Sequence, residues 1–227
     1  MSSYILCIET SGPQCSVAIT SQGNTIVDHV TEDAWHHSQF LTTYIDQVLK
    51  QADVDLKQLD AVAVSHGPGS YTGLRVGAST AKGICYALDI PLISIETLKI
   101  IAFPWTNSES TKILATIDAR RDEIYYNVYD QNLKAQEGTQ AHVVIADSFK
   151  LYRDERLVIA GDGATKTKEL LSHRPENFIY KPSYPSAKHM ALIAYNKYLT
   201  KENEDIAYYS PFYMKPPNIT SRKKPLF

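Results

Sequence analysis

Cysteine is scarce in this chain of 227 residues, and its cysteines follow no disulfide or metal-binding pattern. The three are Cys7, Cys15 and Cys85, an odd number without a CxxC motif or a His/Cys cluster. A disulfide framework or a structural zinc site needs paired or clustered ligands, so the pattern argues against both. It predicts three small thiols that pack as hydrophobic side chains.

Long apolar runs and an excess of one charge are also missing. No stretch approaches the roughly 20 apolar residues that a membrane-spanning helix needs, and the N-terminus lacks the features of a signal peptide. The net charge is −2 and the pI is near 6.4, without the basic excess usual in proteins that grip nucleic acid alone. We therefore expect a cytoplasmic protein with no membrane partner.

The hydrophobic pattern predicts the same order of elements, β-β-β-α-β-α, in each half of the chain. Apolar runs predict strands at 4–8, 16–20, 25–30 and 60–64, with helices at 41–52 and 72–88 and a strand at 92–95. The second half predicts strands at 112–117, 123–129, 157–160 and 178–180, a weaker one within 133–144, and helices at 147–152, 165–171 and 187–199.

Two local features repeat with this order. Glu9 and Asp118 end the first strand of each half, and the strand after each half's first helix runs into a glycine-rich turn. This predicts an α/β fold of duplicated ribonuclease H-like lobes, the plan of the actin, sugar-kinase and Hsp70-type ATPase superfamily, with a degenerate second lobe. We expect an N-terminal lobe at 1–104, a smaller C-terminal lobe at 105–208 and a tail at 209–227.

The segment HGPGSYTGLR, residues 66–75, is a strand-to-helix turn with two opposing interpretations. Its glycines permit positive φ and close approach to a ligand, and the helix start offers free N–H groups to a phosphate. Such turns are also common as purely structural features, with Ser70 or Thr72 capping the helix. Neither the P-loop pattern nor GxGxxG is present.

The segment Glu9-Thr10-Ser11 has a similar pair of interpretations. An acid followed by hydroxyls at a strand end can hold a magnesium-bound phosphate, or it can lead a turn with Glu9 solvated. Taken with the second lobe, the candidate nucleotide contacts, as vestiges of an ATPase site, are Glu9, Thr10, Ser11, Gly67, Gly69, Ser70, Asp118, Gly161 and Gly163.

These strings together resemble the bacterial TsaB family, also called YeaZ. The resemblance is carried by residues 65–98 (SHGPGSYTGLRVGASTAKGICYALDIPLISIETL) and 5–19 (ILCIETSGPQCSVAI), with HSQ at 37–39, DARRDE at 118–123 and GDGA at 161–164. The tail 212–215 is similar to the family's P-x-Y-x-R ending, with Lys215 in place of arginine. The similarity is weak from residue 165 onward.

The resemblance implies a non-catalytic subunit of the machinery that makes threonylcarbamoyladenosine (t6A) at position 37 of tRNA. Its partners would be the paralogous transferase TsaD and the ATPase TsaE, with tRNA bound only through the complex and a homodimer when alone. TsaD holds a metal through an HxxxH motif, whose positions align here with Ile95 and Lys99. We therefore expect no catalytic residue, no metal and no cofactor of its own, with ATP or ADP only at the interface with its partner.

The family further implies that the two helices of the first lobe form the partner interface. The alternative is that their small residues pack only against the chain's own sheet. The candidate interface residues are Leu41, Tyr44, Ile45, Val48, Leu74, Gly77, Ala78, Ala81 and Cys85.

Two other functions remain open from the sequence. An ATP-hydrolysing enzyme of the actin and sugar-kinase type would use Glu9, Thr10, Ser70 and the turn at 161–163. Direct tRNA binding would rely on the basic cluster Arg222, Lys223 and Lys224, which is otherwise a solvated tail, and it fits poorly with the pI.

Overall fold

A computed structural model describes residues 3–31, 37–107, 112–172 and 175–216, with the backbone alone for residues 37–39. Two similar β-sheets, helices and short 3₁₀ turns make up these ranges. The strands are β1 (Tyr4–Glu9), β2 (Ser16–Ser21), β3 (Asn24–Val30), β4 (Leu59–Gly67), β5 (Leu92–Glu96), β6 (Lys112–Asp118), β7 (Glu123–Tyr129), β8 (Gln140–Val143), β9 (Leu157–Ala160) and β10 (Phe178–Lys181). The helices are α1 (His37–Ala52), α2 (Tyr71–Leu88), α3 (Thr97–Ala102), α4 (Gly163–Leu170) and α5 (Ala191–Thr200).

The two sheets have the same topology, which confirms the predicted duplication. The first has the order β3-β2-β1-β4-β5 and the second has β8-β7-β6-β9-β10, so each strand has a counterpart five strands later. In each sheet the first three strands form an antiparallel meander, and the last two join it in parallel. Parallel addition requires a crossover on one face of the sheet, and this determines where the helices lie.

Strand β1 is central in the first sheet and is buried on both faces. Leu6 and Ile8 point into a core shared with α1 and α2, while Ile5 and Cys7 point into a core shared with α5. Successive side chains of a strand alternate between faces, so an unbroken apolar run fits a strand covered on both sides. The sequence predicted this strand for that reason.

Helix α3 connects the two lobes, and the sequence analysis missed it. Ile100 packs into the core of the first sheet, whereas Leu98 and Ile101 pack with strands β6 and β9 of the second. Only six residues long, α3 shows too few turns for a helical period to be recognised. It follows β5 directly and covers one face of the second sheet.

Helix α5 makes the reciprocal crossing, from the second lobe to the first. It follows β10 in sequence, yet Ile193 and Ala194 pack with Ile5 and Ala18 on the first sheet. The predicted second lobe at 105–208 therefore ends in a segment that structurally completes the first lobe. Residues 187–190 form a 3₁₀ turn, so the helix predicted at 187–199 starts with tighter winding.

The second lobe is the smaller one. Strands β8, β9 and β10 have four residues each, and the crossover from β8 to β9 carries only a 3₁₀ turn, Lys150–Tyr152, where the first lobe has α1. The helix predicted at 147–152 is this single turn. None of the helices in the described ranges is long and apolar enough to cross a membrane.

Helix α2 lies unusually close to the end of β1, and glycine makes this approach possible. A Cβ added at Gly77 would overlap the Thr10 hydroxyl, and one at Gly73 would overlap the Thr10 carbonyl oxygen. The Thr10 hydroxyl is buried and donates to the Gly73 carbonyl at 2.8 Å, so it cannot move aside without losing that bond. Small residues on this face of α2 are therefore required by the chain's own packing.

Replacing Gly77 by alanine should destabilise the fold by roughly 2 kcal/mol or more, because overpacking of a rigid site costs about 1–3 kcal/mol and the Thr10 bond is lost as well. Gly83 on the same helix is the matched control: nothing lies within 4 Å of an added Cβ. Gly83→Ala should stabilise the protein by about 0.5–1 kcal/mol through helix propensity. Urea unfolding of both variants measures the difference, and equal effects would contradict the close approach.

Candidate functional site

The end of β1 is an internal junction rather than an open ligand site. Glu9 is completely buried, and its Oε1 accepts hydrogen bonds from the Ser11 backbone N–H at 2.6 Å and the Ser11 hydroxyl at 2.5 Å. The Thr10 hydroxyl is bound to α2, as described above. Both hydroxyls that were predicted to hold a phosphate are therefore used within the chain.

Burial changes the chemistry of Glu9. Loss of solvent raises the pKa of its carboxyl to about 7, although hydrogen bonds from Ser11 and Ser65 act in the opposite direction. The second carboxyl oxygen, Oε2, has no hydrogen-bond partner in the described structure. Burial thus favours the protonated form of this carboxyl. The interpretation of Glu9 as a solvated acid is therefore wrong, while its role as a metal ligand stays a prediction.

The glycine-rich turn after β4 is filled by the chain itself. Gly67 has a φ of 112°, which favours glycine, and an added Cβ there would overlap the Phe212 carbonyl oxygen. Gly69 packs in the same way on Ser11, whose carbonyl accepts from the Ser70 backbone N–H at 2.7 Å. The Ser70 hydroxyl caps α2 by accepting from the Gly73 N–H at 3.3 Å. The close approach that these glycines allow is to protein backbone, which favours the structural interpretation of this turn.

The second lobe repeats this arrangement with more polar residues. Gly161 has a φ of 104° and packs on the Thr116 carbonyl, and Gly163 packs on the Thr116 side chain. Asp118 at the end of β6 is exposed, unlike its counterpart Glu9, and pairs with Lys166 on α4. Asp162 accepts from the Asp118 N–H at 2.8 Å. The predicted contacts Asp118, Gly161 and Gly163 thus lie together, but the Asp118 charge is balanced by a lysine.

No group of three or more metal-ligating side chains occurs in the part of the chain that the structure describes. Ile95, aligned with a TsaD histidine, is buried in β5, and Lys99 is partly exposed on α3. His66 packs between Phe212 and Tyr209, with ring centroids 6.1 and 5.8 Å away, and burial lowers the pKa of its imidazole. The thiols of Cys7, Cys15 and Cys85 are buried, which raises the pKa of each to about 12.

Eight of the nine residues predicted to form the partner interface lie in the protein's own core. The residues that are under 9% exposed are Leu41, Ile45, Val48, Leu74, Gly77, Ala78, Ala81 and Cys85, and Tyr44 is partly buried beside them. The amphipathic pattern of the two helices identified the face that meets the sheet, because burial inside the chain produces the same apolar stripe as burial in a complex. These residues therefore pack within the chain, and their contact with a partner stays a prediction.

The opposite side of α2 is the side available to a partner. The exposed positions of α2 include Thr72, Ser79 and Gly83, with the partly buried Val76 at the same helical spacing, and we call these four residues the α2 ridge. Arg75 is also exposed on this helix. Tyr86 lies one turn beyond Gly83 and is 84% exposed. The α2 ridge therefore offers a surface of small or short side chains with an exposed aromatic ring at one end.

The segment 204–215 contributes several contacts that sequence reasoning missed. The Phe212 N–H donates to the His66 carbonyl at 2.7 Å, Lys82 on α2 donates to the carbonyls of Ala207 and Tyr209, and Lys215 pairs with Glu123 in the second lobe. In the sequence, the tyrosines of this segment and Phe212 were the features that could have indicated these contacts. The basic cluster at 222–224 and the side chains of the HSQ segment at 37–39 lie outside the described residues.

Two sheets of identical strand order, with helices exchanged between them, define the ribonuclease H-like fold of the actin, sugar-kinase and Hsp70-type ATPases. A family model described as "TsaD: tRNA N6-adenosine threonylcarbamoyltransferase" matches residues 29–220. The YeaZ structure from Pseudomonas aeruginosa has a TM-score of 0.83 at 24% identity and covers 93% of this chain and 100% of its own.

Curated relatives define the family more narrowly. The tRNA threonylcarbamoyladenosine biosynthesis protein TsaB of Buchnera aphidicola (subsp. Schizaphis graminum) is 32% identical over 196 residues, 83% of this chain and 91% of the relative. TsaB of Escherichia coli is 33% identical over 129 residues, so this chain spans about half (55%) of its length. The chain belongs to the TsaB (YeaZ) family.

The buried Glu9 carboxyl makes stability depend on pH. Its pKa rises from 4.5 in the unfolded chain to about 7 in the fold, so the native state binds the extra proton between these values. The stabilisation that this proton contributes is at most about 3 kcal/mol. It is fully present below pH 4.5 and is lost as the pH rises through 7. Glu9→Gln should match the parent near pH 5 and exceed it in stability by about 1–3 kcal/mol at pH 8.

Urea unfolding between pH 5 and 8 measures this difference. Glu169→Gln, an exposed change on α4 with the same loss of charge, is the control. Its free energy of unfolding should depend on pH in the same way as that of the parent. If the stability of Glu9→Gln also showed the same pH dependence as that of the parent, the Glu9 carboxyl would not titrate in this range.

Proposed function

We propose that this protein is a non-catalytic scaffold subunit of the machinery that forms t6A at position 37 of tRNA. It pairs with the transferase TsaD and recruits the ATPase TsaE. The observation that carries the proposal is the closure of the first-lobe turn by the chain itself: Ser11 lies against Gly69, and the Phe212 carbonyl lies against Gly67. The names of the curated relatives, which refer to t6A biosynthesis, supply the reaction.

A subunit of this kind acts through its surface. The α2 ridge supports helix-to-helix pairing because its small side chains allow a partner helix to approach closely, and aromatic residues such as Tyr86 are enriched at protein interfaces. The same surface would pair two copies of this chain when TsaD is absent. ATP or ADP would bind where TsaD completes the site. The net charge of −2 favours contact with tRNA through the complex rather than directly.

An ATP-hydrolysing enzyme is the less favoured function. It would require the Thr10 and Ser70 hydroxyls to face a nucleotide, whereas one donates to the Gly73 carbonyl and the other caps α2. Glu9 is also completely buried, whereas a protein-bound Mg²⁺ usually keeps several waters and needs an accessible ligand.

A bulky charge on the α2 ridge should abolish pairing with TsaD. Gly83→Arg places arginine at an exposed position with nothing within 4 Å of the new Cβ, so the fold should survive. Gly138→Arg, on an exposed loop of the second lobe with the same open surroundings, is the matched control. Co-purification with tagged TsaD measures pairing, and an unchanged yield for Gly83→Arg would show that the partner binds elsewhere.

The catalytic assignment has a separate test. Purified TsaD and TsaE, given threonylcarbamoyl-adenylate, ATP and tRNA, should form t6A only when this protein is added. The protein alone should form none, because its own residues supply no metal ligands at Ile95 and Lys99. Liquid chromatography and mass spectrometry of digested tRNA measures the product. Formation of t6A by this protein alone would overturn the proposal.

A further inference from the structure

The C-terminal segment of the described chain crosses from one lobe to the other. The Phe212 N–H donates to the carbonyl of His66 in β4, at 2.7 Å, so this residue is attached to the first lobe. Three residues further on, Lys215 pairs with Glu123 at the start of β7 in the second lobe. Residues 212–215 therefore join the end of β4 to the start of β7, and we call them the strap.

The first-lobe end of the strap is held by packing as well as by the backbone bond. The Phe212 carbonyl lies so close to Gly67 that a Cβ added at this glycine would overlap it. The Tyr213 ring lies 4.9 Å from the ring of Tyr71, which is the first residue of α2. Only one residue separates Tyr213 from Lys215, so the position of the Lys215 side chain is restricted before it meets its partner.

The second-lobe end of the strap is held by charge. The Glu123 side chain is 20% exposed and that of Lys215 is 49% exposed, so the pair is partly withdrawn from water and less screened than an open surface pair. The Lys215 ammonium also lies 6.0 Å from the centre of the Tyr125 ring, at the limit of a cation–π contact. The Glu123 carbonyl accepts from the Ala119 N–H at 3.0 Å and from the Lys166 ammonium at 3.2 Å. The acidic partner is therefore as firmly placed as the strap.

We propose that the strap is a latch: the ion pair between Lys215 and Glu123 holds the two lobes in the arrangement described above, and loss of the pair lets them turn relative to each other. Helices α3 and α5 also cross between the lobes, but they are held by apolar packing, so the fold persists when the ion pair is lost. The motion that the pair opposes is a hinge rotation about these helices. This inference does not depend on the proposed function in t6A formation.

The test measures the distance between the lobes in the full chain by double electron–electron resonance. Spin labels are placed at two exposed helical positions, Gln51→Cys on α1 and Thr165→Cys on α4, and the labelled protein is diluted with unlabelled protein. The native thiols are buried, so the label attaches at the introduced cysteines. Lys215→Met should add a population at a second distance and lower the ratio of closed to open molecules about fivefold, the effect of a favourable ion pair. Lys215→Glu, which repels Glu123, should lower this ratio further.

Lys134→Met is the matched control, because it removes the same charge from an exposed position of the second lobe outside the strap. It should keep the parent distances. Glu123→Gln should give the same distances as Lys215→Met, and the two changes together should add nothing, since both remove one interaction. Salt at about 1 M should change the distances of the parent and leave those of the double variant unchanged. Parent distances in Lys215→Glu, or effects of Lys215→Met and Glu123→Gln that add, would show that the pair does not hold the lobes.

Discussion

The close contact between the end of β1 and the start of α2 is the constraint on which the functional region depends. Thr10 lies against Gly73 and Gly77, and Ser11 lies against Gly69 and accepts from the Ser70 N–H. Backbone approaches backbone here because these positions carry no side chain. The same contact buries Glu9 beneath Ser11, and burial raises the pKa of its carboxyl to about 7. Glycines that resemble a ligand-binding loop here serve packing.

The exchange of helices holds the two lobes together. Helix α3 places Ile100 on the first sheet and Leu98 on the second, and α5 returns from the second lobe to cover the first. Neither sheet would have two covered faces without a helix that follows the other sheet in sequence. A buried parallel strand such as β4 requires cover on both faces, so each lobe depends on the other for its stability.

The elements themselves were largely predictable from the sequence, because each strand of the duplicated order carries its own apolar run and α2 has a clear start and end. The exceptions have physical causes. Helix α3 is too short to show a period, and the boundary near residue 187 depends on contacts between distant segments that leave no local signal. The interface residues could not be assigned from the sequence, because an apolar helical stripe indicates burial without indicating what buries it. The contacts of His66 with Tyr209 and Phe212 join residues far apart in the sequence, which only the fold brings together.

Helix α2 also anchors the C-terminal segment. Lys82 on this helix donates to the carbonyls of Ala207 and Tyr209 and so ties the segment 204–215 to the helix. Lys82 and Tyr86 are four positions apart and are therefore neighbours on the helix surface. The exposed ring of Tyr86 thus lies on the same side of the helix as the attachment of this segment, so the exposed side of α2 and the packing of the segment share one stretch of helix.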